Sequence, residues 1–134
     1  MGLMIDTNVF IRFEKSGGSI VPSSWNGSEK VYVSAVVVSE LLMGVHRANT
    51  TERRKRRATI VEAVIAGVGV LSFNLAVARV HAEIHADLMA NGKLIGAHDL
   101  IIAATALCHG MSLLTDNVGE FSRVPGLQVV PFVP

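Results

Sequence analysis

Leu3-Met4-Ile5-Asp6-Thr7-Asn8 sets three apolar residues against a carboxylate and two small polar groups. The apolar residues predict a short buried strand, and Val9-Phe10-Ile11 opens a helix just beyond it. An acid so placed stands at the C-terminal end of the strand, the edge at which open α/β sheets bind ligands. The same position suits a helix cap, so Asp6 or Thr7 also has a purely structural reading. Recurrence weighs against that reading. Ser112-Leu113-Leu114 is again a short apolar strand, and it runs straight into Thr115-Asp116-Asn117.

Between these two stretches, short apolar runs alternate with longer helical patterns. Ser16-Gly17-Gly18 breaks the first helix, and an irregular segment follows in which Trp25 is expected to act as a packing anchor. Val31-Tyr32-Val33 predicts the next strand, and Ser34 caps a helix through about His46. Asn49-Thr50-Thr51-Glu52 reads as a capping box with Asn49 as the cap. Gly67-Val68-Gly69 is a break. It lacks the third glycine and the preceding strand of a dinucleotide fingerprint. Val70-Leu71 is a minimal strand, and Ser72 or Asn74 caps a helix to about Ala90 with Val77, Val80, Ile84 and Leu88 as its apolar stripe. The segment from Ala97 to Cys108 is apolar nearly all round, so it is expected to be central and buried. Leu127-Gln128-Val129-Val130 is a last strand at an edge of the sheet. Strands separated by helices imply parallel βαβ connections. The expected fold is therefore α/β, a mainly parallel central sheet flanked by helices, with residues 1–134 as a single domain.

Composition narrows the function classes. Of 134 residues, 50% are hydrophobic and 17% charged, which supplies an aliphatic core. No run approaches the roughly 20 apolar residues of a membrane helix, and no secretion signal is expected. The single Cys108 cannot pair within the chain and suits a reducing, cytoplasmic setting. The net charge of +1 implies no nucleic-acid partner by itself, so local distribution must carry that inference. Arg53-Arg54-Lys55-Arg56-Arg57 circles the first turns of a helix, where it can lie along a phosphate backbone or form a solvated face. His81 and His85 stand four apart with Glu83 between them. The acid is not in the metalloprotease position and no third ligand is evident, so ordinary interfacial histidines are expected.

The acids are few and selectively placed. Asp6 and Asp116 follow strands, Asp99 opens the most apolar helix, and Glu40 lies in an apolar segment. Parallel connections put strand ends and helix starts on one edge, so these four can converge. Asp99 as an ordinary N-cap and Glu40 on a wet helix face are the structural alternatives. Several carboxylates in one cleft repel each other unless a cation neutralises them. All-oxygen ligands suit Mg²⁺ or Mn²⁺, which can activate water and stabilise charge on a phosphodiester. Thr7, Asn8, Thr115 and Asn117 are supporting polar groups that can orient ligands or water.

Four stretches together resemble the PIN-domain ribonucleases, specifically the VapC-type toxins of bacterial toxin–antitoxin pairs. They are Leu3 to Asn8, Glu40-Leu41-Leu42-Met43-Gly44, the run from His98 to Ala106, and Leu114 to Phe121. The resemblance implies a PIN-like three-layer domain and a Mg²⁺-dependent endoribonuclease with catalytic Asp6, Glu40, Asp99 and Asp116, the first three binding metal. It further implies a homodimer, neutralised by an antitoxin whose tail fills the active-site groove, and a structured RNA target such as tRNA. In the family pattern the fourth group stands two residues after the threonine. Here that is Asn117, with Asp116 one earlier, and either can face the metal. The competing expectations are a non-catalytic PIN-like module that binds RNA or protein, and a phosphatase of small phosphoesters. The second is disfavoured because a haloacid-dehalogenase-type enzyme would want an aspartate where Asn8 stands.

Overall fold

The structure is a computed structural model that describes residues 2–15 and 30–132. The expected break at Ser16-Gly17-Gly18 and the Trp25 anchor lie outside the described residues. The elements run β1 (Gly2–Ile5), α1 (Thr7–Lys15), β2 (Lys30–Ser34), α2 (Ala35–His46), α3 (Thr51–Gly67), β3 (Gly69–Leu71) and α4 (Leu75–Ala90). Then come α5 (Ala97–Cys108), β4 (Ser112–Thr115), α6 (Val118–Phe121) and β5 (Val129–Pro131).

The strands form one sheet in the order β3-β2-β1-β4-β5, and every pairing is parallel. Helices flank it, as the alternation of strands and helical patterns requires. Parallel strands covered on both faces must be apolar throughout. Met4, Ile5, Val33 and Leu113 are accordingly fully buried. Tyr32 lies across the sheet over two glycines. A Cβ on Gly69 would sit 2.4 Å from the Tyr32 ring, and one on Gly2 would sit 2.7 Å from it. Glycine at both positions lets the ring lie flat against the backbone.

α5 is the buried helix that its composition predicts. Ile102, Ala103, Ala104 and Ala106 are inaccessible to solvent, and the alanines allow α4 and β4 to approach closely. Thr105 is equally buried, but its hydroxyl donates to Ile101 O at 2.7 Å, which removes the cost of a bare polar group. The caps are mostly as expected. Ser34 Oγ accepts from Val36 N at 3.2 Å, and Asn74 Oδ1 accepts from Val77 N at 3.0 Å. The cap of α3 differs by one residue. Thr50 accepts from Arg53 N at 3.1 Å, whereas Asn49 Oδ1 accepts from the Arg53 guanidinium. The last strand also starts later than expected, at Val129, with Pro131 on the outer strand, where a missing N–H is tolerated.

From β1 the chain builds outward through β2 and β3. It then returns to lay β4 on the other side of β1. The strand order reverses there, and the C-terminal ends of β1 and β4 flank the resulting crevice. Such a switch point is where open α/β sheets bind ligands. Asp6 leaves β1 at this crevice and Asp116 leaves β4 there.

Candidate active site

Asp6 is 4% exposed at the end of β1, and each of its oxygens has one donor. Oδ1 accepts from Thr7 N and Oδ2 from Thr115 Oγ1, both at 2.7 Å. Thr115 is wholly buried, and its hydroxyl oxygen also accepts from Asn117 N at 2.9 Å. Burial raises the Asp6 pKa. The two hydrogen bonds offset part of that rise, and Glu40 and Glu120 add to it.

Glu40 arrives from α2, which Ser34 starts at the end of β2. Its Oε1 accepts from Thr7 Oγ1 at 2.7 Å, and its Oε2 faces His98 Nδ1 at 3.5 Å. Glu40 is thus turned into the crevice, not onto a wet helix face.

Asp99 lies inside the first turn of α5, and the residue in the cap position is Gly96. The N-cap reading of Asp99 therefore fails on geometry. Its neighbour is Glu120 of α6. Glu120 Oε1 accepts from Gly96 N and its Oε2 accepts from Asn117 Nδ2, both at 2.7 Å. A Cβ on Gly96 would be 3.6 Å from both Asp99 Oδ2 and Glu120 Oε1, so both acids converge on the start of α5. The Gly96 N–H and the Asn117 amide hold the Glu120 pKa below its ordinary value. Asp99 is pushed up to about 7 by burial, then by the charges of Asp6, Glu120 and Glu40.

Asp116 does not belong to this group in the structure. It pairs with Arg12 of α1, and its N–H donates to Asn8 Oδ1 at 3.3 Å. The fourth carboxylate acting on Asp6 and Asp99 is Glu120, which is not among the acids that the sequence singles out. The backbone turn after Thr115 explains the difference. It points residue 116 toward α1 and brings the first turn of α6 back over α5. A signal was present, because Asn117-Val118-Gly119-Glu120 has the spacing of a capping box, which ties Glu120 to Asn117. Of the supporting polar groups, Thr7 holds Glu40, Thr115 holds Asp6, Asn117 holds Glu120 and Asn8 holds the Asp116 backbone.

The basic run on α3 is exposed throughout. Arg54 Nη2 donates to Ala48 O at 3.2 Å and Arg57 Nη1 to Gly44 O at 3.0 Å, at the C-terminal end of α2. His81 stacks edge-on against Phe73 at 5.5 Å between ring centres, as an interfacial histidine would.

Among the described residues, no three His, Cys, Asp or Glu side chains form a ready-made metal cage. Asp6, Glu40, Asp99 and Glu120 are nonetheless close enough to raise the pKa of Asp99 together with its burial. The clustered carboxylates suit a hard cation, which is in general held through one or two carboxylates and keeps several waters.

The PIN domain family model matches residues 3–127. A Rickettsia felis protein named Ribonuclease VapC1 is 39% identical over 130 residues, covering 97% of this chain and 96% of that protein. A Shigella flexneri protein named tRNA(fMet)-specific endonuclease VapC is 31% identical, with 93% of each chain covered. Among solved structures, the crystal structure of DNA-bound VapBC from Salmonella typhimurium contains a chain that superposes with a TM-score of 0.86. That chain is 27% identical, with 98% of both chains covered. The crevice of acids at the β1–β4 switch point is thus seated in a known nuclease scaffold, and the chain belongs to the PIN-domain family, among the VapC ribonucleases.

Proposed function

We propose that this chain is a Mg²⁺-dependent endoribonuclease that hydrolyses RNA phosphodiester bonds as the toxin of a toxin–antitoxin pair. The observation that carries this reading is the convergence of Asp6, Glu40, Asp99 and Glu120 on one crevice, where among the described residues Asp6 and Glu120 are held by neutral N–H, amide and hydroxyl donors. Asp6, Asp99 and Glu40 would hold the metal, with Mn²⁺ as an alternative ion. Bound there, the cation would lower the pKa of a water and stabilise charge on the phosphodiester.

The residues of this chain supply the positioning. Thr115 and Thr7 N–H fix both oxygens of Asp6, and Thr7 Oγ1 fixes Glu40. Glu120 and Asn117 set the start of α5, and with it the direction of Asp99. In this reading Glu120 takes the place of Asp116 as the fourth acid, and Asn117 acts by orienting Glu120.

The relatives' names favour RNA as substrate, and the VapBC assemblies favour an antitoxin partner. A structured RNA such as tRNA is the proposed target. A homodimer is the proposed assembly. Its support is the apolar surface left at Val70, Phe73, Leu75 and Met89, which are 42%, 49%, 68% and 58% exposed. No described helix is long and apolar enough to cross a membrane, and an RNA substrate goes with a cytoplasmic location.

The test is cleavage of a cellular RNA pool in Mg²⁺ and in chelator, by wild type and by Asp6→Asn. Cleavage that stops in chelator and in the variant supports the reading. RNA binding without metal-dependent cleavage would favour a non-catalytic module.

A further inference from the structure

Arg12 stands on α1, five residues beyond Thr7. Its Nη1 pairs with Asp116 Oδ1, and its guanidinium carbon lies 6.0 Å from the centre of the Phe132 ring. Asp116 is itself fixed, because Asn8 Oδ1 accepts from its N–H and it directly follows Thr115, whose hydroxyl donates to Asp6. The guanidinium is therefore held beside the end of β4 by a carboxylate that stands one residue along the chain from Thr115, whose hydroxyl bonds Asp6. The two side chains are 42% and 33% exposed. A pair so open to water is screened and adds little to stability, so bracing α1 is a weak reason for it.

RNA must bring negative phosphates to a crevice that already holds Asp6, Glu40, Asp99 and Glu120. A fixed cation on that path lowers the repulsion. A guanidinium suits the task because its planar fork takes a phosphate in the geometry in which it takes a carboxylate.

We propose that Arg12 binds a phosphate of the RNA substrate, and that Asp116 holds its guanidinium in place until that phosphate displaces the carboxylate. The assignment rests on the nuclease reading of the acid crevice. Phe132 limits sideways motion of the guanidinium, so the exchange of partners needs no rebuilding of the site. Asp116 then acts as a stand-in for substrate, and removing it favours binding.

The experiment is titration of the full chain into an end-labelled RNA oligonucleotide of mixed sequence, read by fluorescence anisotropy in EDTA from 50 to 200 mM NaCl. Asp116→Asn should bind roughly 2–5-fold more tightly than wild type, the range that release of an exposed ion pair allows. Arg12→Gln should bind about tenfold more weakly, and its log–log salt slope should fall by about 0.7–0.9, the loss of one phosphate contact. Arg12→Lys should lie between wild type and Arg12→Gln. The double variant should match Arg12→Gln.

A gain of affinity cannot come from misfolding, so the Asp116→Asn result is protected from that confusion. Unchanged or weaker binding by Asp116→Asn overturns the proposal. So does a gain that persists in the Arg12→Gln background, because it would then reflect net charge alone. An unaltered salt slope in Arg12→Gln overturns it as well. Failure of the nuclease reading is separate, since it would appear as RNA binding without Mg²⁺-dependent cleavage.

Discussion

The switch-point crevice and the start of α3 each concentrate charge of one sign, and the fold treats them oppositely. At α3, Arg53 donates to Asn49 Oδ1, Arg54 to Ala48 O and Arg57 to Gly44 O. These cations lie in water and also satisfy carbonyls at the end of α2, where positive charge is favoured. In the crevice, the direct partners of Asp6 are a backbone N–H and a hydroxyl, and those of Glu120 are a backbone N–H and an amide. Arg123 acts on Glu120 only through space, while its Nη1 donates to Leu94 O. Burial and mutual repulsion are left standing, and the Asp99 pKa registers both. A charge run with cheap local acceptors reads as scaffold. A group of acids held mainly by neutral donors reads as a site awaiting a cation.

The widest separation between the two regions is expected in catalysis. Asp6→Asn, Glu40→Gln and Asp99→Asn each remove one charge from the proposed ligand set at nearly constant shape. Each should lower the cleavage rate at least about 10²-fold, or roughly 2.7 kcal/mol of barrier. Melting temperatures should not fall, because carboxylate repulsion is relieved. Wild-type rates in Asp6→Asn would mean that another site does the chemistry.

Acidity distinguishes the crevice next. Asp99 has its folded pKa raised from 3.8 to about 7, so folding disfavours its ionised form. Its effect on stability is absent below about pH 4, grows unfavourable as pH rises toward 7, and is constant above that. The Glu120 pKa is lowered instead, so its contribution is present at neutral pH and is lost below about its ordinary value of 4.5. Thermal melts in chelator should therefore show stability declining between about pH 5 and 7. Asp99→Asn should flatten that decline, and Mg²⁺ should reverse it at pH 7.5. A decline unaltered in Asp99→Asn would place its origin elsewhere.

The cationic region should answer in stability. Arg54→Met and Arg57→Met each remove a donor from the last carbonyls of α2 and its exit. Each should cost about 0.3–1 kcal/mol, a drop of a few degrees in melting temperature, with cleavage per folded molecule preserved. A large loss of RNA affinity in either would show that these residues also touch substrate.

The smallest effect is reserved for Lys55 and Arg56, which stand exposed within the run. If α3 borders the RNA path, Lys55→Glu or Arg56→Glu should weaken RNA binding and flatten its salt slope by about one. An unchanged slope would leave the run a solvated face whose arginines pin α2.

Much of this molecule follows from local pattern. The strand at Leu3-Met4-Ile5, the cap at Ser34, the cap at Asn74 and the buried helix at Ala97 to Cys108 follow from hydrophobic period and short-range hydrogen bonding. Parallel connectivity follows from the alternation of strands and helices. With the placement of the acids, it nominates Asp6, Glu40, Asp99 and Asp116. Residues 115–121 show where local pattern stops. Asp116 and Glu120 are both acids close behind a strand, and although the spacing from Asn117 to Glu120 ties those two together, it does not say which acid turns inward. The backbone path after β4 decides it. That path places Asp116 against Arg12, which is 104 residues away in sequence, and Glu120 against the Gly96 N–H, which is 24 away. The same holds for the basic run, whose composition is plain but whose partners at Gly44 and Ala48 come from the packing of α3 on α2. Period and capping are set by neighbours within about a turn of chain. The direction of a charged side chain is set by whichever distant group offers it the better partner, and only the folded chain brings that group within reach.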